Sequence, residues 1–366
     1  MAAAMMVDRG YEVVGLSMKT HDAPAGANRA CCTPDDLRDA RRVADALGIR
    51  FYVLNYTELF EREVVGPFAE AYLRGHTPNP CVDCNAKVKF KPLLERAKLL
   101  GASRLVTGHY ARIQRGPEGV RLGRGADPAK DQSYFLYRLL PEQLDALELP
   151  LGPLSKPEVR ALAEGYGLPT ATKAESQEIC FVGGDGYAAT VERIAGRSAP
   201  AGDIVDGQGR VLGRHAGVHH FTLGQRRGLG ISAPEPMYVT DIDAGAARVI
   251  VGAREDLQVE TVTVNDPLWL EAPPDPGETV WLQQRYREKP RRARVAITDG
   301  RAVVQLEEPG PRGAPGQAAV IYREAEGIQW VVGGGPIAPT TRPRLPILPR
   351  SAGEGLSMSA PEEVRS

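Results

Sequence analysis

Tyr11 to Met18, YEVVGLSM, is an apolar and β-branched run, the pattern of a strand buried on both faces. TPDDLRDARRVADALG follows with a helical pattern: Thr33 as N-cap, Pro34 first in the helix, acids in the first turn and Gly48 as stop. Leu37, Ala40, Ala44 and Leu47 share one face of that helix. RFYVLNY (Arg50–Tyr56) predicts a second strand, and ELFEREVVGPFAEAYLRG a mostly helical stretch kinked at Gly66-Pro67. A loop, TPNPCVDCN (Thr77–Asn85), precedes a helix over NAKVKFKPLLERAKLLG and a strand over SRLVTGHYARI. SKPEVRALAEGYGLP adds a helix with a Ser155/Glu158 capping box and Gly167 as its stop. Strand–helix–strand order predicts an open, parallel α/β sheet, whose ligands sit at the carboxyl ends of the strands. Met18, Cys84 and Thr107–His109 fall on that edge.

Beyond about Arg197 the period changes. GDIVDGQGRVLG and MYVTDIDAGAARVIVG are short β runs separated by Asp-Gly or Ala-Gly turns. Val262 to Ile337 is again β-rich and punctuated by Pro and Gly, the pattern of a small barrel or sandwich. The pattern divides the chain into an α/β domain over 1–197, a small β-rich domain over 198–260 and a β-barrel over 261–337. Residues 338–366, rich in Pro, Ser and Arg, read as a disordered tail.

Composition adds exclusions. The chain has 366 residues, and no apolar run approaches the roughly 20 that a membrane-spanning helix needs. Asp8 and Arg9 interrupt any apolar core of a secretory signal. Five cysteines in this length argue for a reducing, cytoplasmic setting rather than a disulfide scaffold. The formal net charge is -1, so nucleic-acid contact would have to come from local patches. RYREKPRRAR (Arg285–Arg294) is the densest of these, and its alternative reading is a solvated strand face.

Cys81-x-x-Cys84 fits a metal knuckle, a redox pair or a single reactive thiol. A zinc knuckle needs a second ligand pair at short spacing, which the chain lacks. A thioredoxin-like pair starts a helix after a strand, whereas Pro78 and Pro80 hold this approach extended. Vicinal Cys31 and Cys32 read as structural. Cys180, beside Ile179, Phe181 and Val182, reads either as a core cysteine or as a third functional thiol.

TPNPCVDCNAKVKF, TGHYARI, DPAKDQSYFLY, ESQEICFV, AGDIVD, TLGQRRGLGI and APGQAAVIY occur in this order. Together, from about Ala2 to Ile337, they resemble the tRNA-specific 2-thiouridylase family. The resemblance implies an ATP-pyrophosphatase-type α/β domain, a small central domain and a C-terminal β-barrel. It also implies replacement of the wobble uridine C2 oxygen by sulfur. ATP, with Mg²⁺, adenylates that oxygen into a leaving group. Cys180 carries a persulfide received from a sulfur-donor protein, and Cys84 is the nucleophilic thiol, leaving a Cys84–Cys180 disulfide. By the same resemblance Met18 and Gly108 line the ATP site, and Asn79, Pro80 and Cys81 touch the target base. His109, Lys130, Asp131, Gln132, Arg285, Tyr286 and Gln317 resemble tRNA-contacting positions: cations for phosphate, amides for base edges, an aromatic for stacking. Where this chain has Cys81, some members carry an acid. A thiol takes over as base there only with a lowered pKa.

Two further readings stay open. Cys81, Cys84 and Cys180 supply three thiolates, enough to hold an iron–sulfur cluster. The family also opens with a strand and an S-G-G-x-D-S loop that cradles the ATP phosphates, and nothing like it occurs here. AAAMMVDRG reads instead as the end of a helix stopped by Gly10. A start codon placed too far downstream, or a true truncation giving an inactive tRNA-binding relative, would account for this. The first is favoured because the later motifs are intact, and the chain as given is expected to bind ATP poorly.

Overall fold

The computed structural model describes residues 1–21, 34–171, 173 and 179–339. Cys31, Cys32, Thr33 and the tail from 340 onward lie outside them. The strands Val14–Lys19 and Arg50–Asn55 pair in parallel from Val14↔Arg50 to Lys19↔Asn55, with the helix Pro34–Leu47 between them in the chain. Leu105–Val106 and Leu147–Glu148 form a second parallel ladder. The α/β reading therefore holds, with the parallel pairing of that domain in two two-stranded pieces among the described residues. Met18, Phe90, Leu93, Leu94, Leu105 and Leu147 belong to one buried cluster.

Two predicted helices are interrupted in the same way. Thr57–Phe60 and Gly66–Leu73 flank a π-helical stretch, Glu61–Val65, and Cys84–Phe90 is π-helical before Lys91–Leu99. In both cases a proline, Pro67 or Pro92, stands just after the wide turn. Proline lacks the N–H of the i→i−4 ladder and its ring crowds that carbonyl. A π turn before it is one way to keep the chain helical, and such turns occur often at functional sites. The expected kink at Gly66-Pro67 is thus a widened turn.

The strand expected over Ser103–Ile113 is two. The chain leaves the parallel ladder after Val106, and Ala111–Gly116 pairs antiparallel with Gly119–Arg124. That hairpin joins the C-terminal sheet, where Gly123 opposes Trp330. A Cβ on Gly123 would lie 2.7 Å from the Trp330 ring, so glycine is required for the indole to cover it. The GPEG turn (Gly116–Gly119) carried this signal in the sequence.

Gly202–Val205, Val211–His215, Tyr238–Asp243 and Arg248–Gly252 make a separate four-stranded sheet. Its Ile204, Val239, Val249 and Val251 share an apolar cluster with Phe60, Phe68 and Val88 of the α/β domain. The remaining strands, Gln258–Val264 through Ile328–Pro336, form the nine-stranded sheet that the hairpin completes. No helix among the described residues is long and apolar enough to cross a membrane.

Candidate sulfur-transfer site

Asn79 caps the short helix Pro80–Asp83, its side-chain oxygen accepting from the Cys81 N–H at 3.2 Å. Cys81 is exposed at the start of that turn. Cys84, one turn further, opens the π-helical stretch and is half-buried. Asp83 is paired with Arg138 at 2.8 Å and Lys87 at 3.2 Å, which fixes the helix from its outer side. On the inner side Asn85 is buried and donates to the Phe135 carbonyl at 3.2 Å.

The C-terminal barrel supports the approach to this loop. The Thr77 N–H donates to the Pro315 carbonyl at 2.8 Å, and Gln317 Nε2 donates to the Thr77 carbonyl at 2.9 Å. Gln317 therefore positions the loop through its amide N–H. His76, packed against Gly316, has its pKa lowered below 6.5 by burial and by Arg74. A histidine with a depressed folded pKa contributes stability that is lost as pH falls below 6.5, because the unfolded chain takes the proton first. Lowering the pH from about 7.5 to about 5.5 should lower the urea midpoint, and His76→Gln should remove part of that loss. An equal loss in both proteins would contradict this.

Cys180 lies in a turn closed by the Val182 N–H on the Ile179 carbonyl at 3.1 Å. Phe181 anchors it, edge-on to Phe60 and Phe68 at 5.7 and 5.0 Å. His21 Nε2 is 3.0 Å from the Cys180 carbonyl oxygen, and its ring stacks on Phe60 at 5.6 Å. A carbonyl only accepts, so Nε2 carries the proton. Cys180 and Cys84, distant in sequence, both pack half-buried on the apolar cluster of Phe60, Phe68 and Val88. Both are thiols here, as is Cys81.

The iron–sulfur expectation finds no support here. Among the described residues, the donor atoms close enough together to share one metal ion are those of Glu192, His219 and His220, and the three thiols are not among them.

The other predicted residues divide by placement. Met18 is buried at the carboxyl end of its strand, opposite Leu54. Gly108 is exposed at the end of Leu105–Val106, and a Cβ there would meet only Leu151, at 3.4 Å. His109 Nδ1 is 2.9 Å from Thr107 Oγ1, with the ring against Phe90. Lys130 sits in the turn closed by its N–H on the Asp127 carbonyl at 3.0 Å. Asp131 is buried and turned inward, accepting from Arg124 Nη1 and the Gly125 N–H, both at 2.9 Å, and from Ser133. Gln132 is bonded to the Tyr110 backbone through its own N–H and its side-chain oxygen. Arg285 is exposed and donates to the Arg312 carbonyl at 3.2 Å, while Tyr286 packs 4.4 Å from Phe135. Sequence reasoning missed His21 and Asn85. His21 is a polar residue three positions past Met18 on the edge where ligands bind, which was the available signal.

A cleft of about 450 Å³ opens beside the Cys84 helix, lined by Lys91, Tyr137, Arg138, Gln143 and Asp266 among others. It includes none of the thiols.

Three family models cover the chain in order. They are a tRNA methyl transferase HUP domain over 1–184, a tRNA methyl transferase PRC-barrel domain over 189–253 and an aminomethyltransferase beta-barrel domain over 259–337. Among curated relatives, the tRNA-specific 2-thiouridylase MnmA of Geobacter metallireducens is 47% identical over 91% of this chain and 92% of that protein. The MnmA of Rhodospirillum centenum is 45% identical over 97% of this chain and 93% of its own length. The chain belongs to the tRNA-specific 2-thiouridylase family.

Proposed function

We propose that this protein is a tRNA-uridine 2-sulfurtransferase using ATP and a persulfide. The observation that carries the proposal is the placement of Cys84 and Cys180 on one apolar cluster, with Cys84 directly behind the Asn79–Cys81 loop. The uracil C2 carbonyl is a poor electrophile, and adenylation makes its oxygen a leaving group. The terminal sulfur of a Cys180 persulfide attacks C2, and AMP departs with that oxygen. The Cys84 thiolate then attacks the Cys180 sulfur, breaking the S–S bond and leaving the transferred sulfur on C2. The product pair is 2-thiouridine and a Cys84–Cys180 disulfide, which a dithiol reductant must reopen. A persulfide-carrying protein is the sulfur source. In this reading the fold operates in the cytoplasm.

ATP enters as substrate at the strand edge. Met18 offers an apolar surface to adenine, and exposed Gly108 leaves room for close approach. The triphosphate and its Mg²⁺ are assigned no residue of this chain.

Two of the matching family models are described as tRNA methyl transferase domains. A methyl donor needs no pair of thiols, and the cysteine placement favours sulfur. Nucleoside analysis of tRNA from a strain deleted for this gene decides between them. Loss of 2-thiouridine, restored by the gene, is expected. Unchanged thiolation would refute the proposal, and loss of a methylated nucleoside instead would establish the other chemistry.

For tRNA itself, the charged contacts are Lys130, Arg285 and Arg287, the last lying 5.7 Å over the Tyr286 ring. His109 and Tyr286 offer rings in the same reading, Asp131 and Gln132 hold the segment after Lys130, and Gln317 holds the approach to the Asn79–Cys81 loop. Arg285→Ala with Arg287→Ala should weaken tRNA binding. It should also lower the slope of log K against log salt by about 0.7–0.9 per lost phosphate contact. Affinity and slope equal to those of the parent protein would make this run a solvated face.

A further inference from the structure

We infer that Glu192, His219 and His220 form a binding site for a borderline divalent cation such as Zn²⁺, pinning the helix after Cys180 to the central sheet domain. Glu192 lies on the helix Gly186–Ala195, and the two histidines form the tight turn Val218–His220 after the strand Val211–His215. His219 Nε2 is 3.0 Å from Glu192 Oε1, and His220 Nε2 is 3.9 Å from the same oxygen. The ring centroids are 4.4 Å apart, and one donor atom from each residue lies within 4.8 Å of the others. Ligands bonded to zinc at about 2.0–2.1 Å can stand at most about 4.1 Å apart. Both distances to the carboxylate fall inside that limit.

A plain glutamate–histidine pair would explain one imidazole. It leaves two features without a role. The first is the second imidazole, brought against the first around a single oxygen. The Ser198 hydroxyl donates to the same Glu192 oxygen at 2.7 Å, which fixes its position between the two rings. The second feature is His219 itself. Its side chain has no exposed surface, and its Nδ1 is buried with no hydrogen-bond partner. A metal-ligating imidazole coordinates through one nitrogen and carries its proton on the other. Here Nε2 points to Glu192, and Nδ1 points to the space where a side chain on residue 217 would stand. A Cβ on Gly217 would lie 2.6 Å from Nδ1 and 3.0 Å from the Ala199 carbonyl oxygen, so glycine keeps that space open beside an acceptor.

Two imidazoles and one carboxylate select Zn²⁺, Co²⁺ or Ni²⁺ over Mg²⁺ or Ca²⁺, and leave a position for water on the exposed His220 side. The helix that carries Glu192 also receives the Cys180 turn, since the Gly183 N–H donates to Thr190 Oγ1 at 3.3 Å. An ion at this place would tie that turn to the central domain.

Titration of the whole, metal-stripped protein with Co²⁺ tests the inference, because nitrogen and oxygen ligands give weak visible bands without the intense near-ultraviolet charge transfer of thiolates. One equivalent of the former type is expected, with affinity reduced at least about ten-fold in His220→Ala and in Glu192→Gln. Zn²⁺ should raise the melting temperature of the parent protein and leave that of Glu192→Gln unchanged. Only thiolate-type bands in the parent protein, or equal affinity in both variants, would overturn it.

Discussion

Cys84→Ser and Cys180→Ser should each reduce 2-thiouridine in tRNA by at least about 100-fold when they replace the parent gene, while Cys81→Ser keeps a measurable fraction. The two thiols act in sequence on one sulfur atom, so losing either stops transfer, and the double variant should be no worse than the singles. A serine hydroxyl neither forms a persulfide nor opens one at neutral pH. Cys81 differs in placement: it is exposed at the first turn of the capped helix, whereas Cys84 and Cys180 share an apolar surface. Nucleoside mass spectrometry of the three strains reads the result directly. Normal thiolation in Cys180→Ser would end the persulfide route.

The second large effect is on stability. Asp131→Ala should cost about 3–5 kcal/mol, because it removes the partner of a largely buried cation. The Arg124 side chain is 18% exposed and that of Asp131 3%. Arg124 also lies 4.2 Å over the Tyr322 ring and reaches Gln283, so it cannot swing out to water without abandoning two strands of the barrel as well as Asp131. Burial raises the Asp131 pKa, opposed by Arg124, the Gly125 N–H and Ser133. Asp131→Asn should fall between, since it keeps the shape and an acceptor but loses the charge. Urea unfolding measures all three. A variant of parental stability that had lost tRNA affinity would instead make Asp131 a direct RNA contact.

The legibility of this molecule varied with the range of the signal. Local signals were readable: the Ser155 capping box, with Glu158 Oε2 accepting from the Ser155 N–H at 2.7 Å, and the stop at Gly167 with φ +62°. Cys84 and Cys180 were visible as residues, but their packing on one apolar cluster is a tertiary fact that neither segment encodes alone. The π turns were hidden because an apolar stripe looks the same at either winding, and only Pro67 and Pro92 marked them. That the hairpin Ala111–Arg124 of the first segment pairs with the C-terminal sheet was not legible, because pairing partners across more than 200 residues leave no local trace; Gly123 opposite Trp330 is the physical link. For Asp131, the family resemblance suggested contact with RNA, and its burial among four hydrogen bonds from Arg124, Gly125 and Ser133 is a tertiary arrangement that no local pattern reveals.

The central claim is that sulfur passes from Cys180 to uridine with Cys84 closing the cycle. A non-reducing peptide map after a single turnover, with persulfide-loaded protein, tRNA and ATP but no reductant, tests it most directly. The predicted result is a Cys84–Cys180 linked peptide pair in proportion to the 2-thiouridine formed. Formation of 2-thiouridine with both thiols still open to alkylation would contradict it.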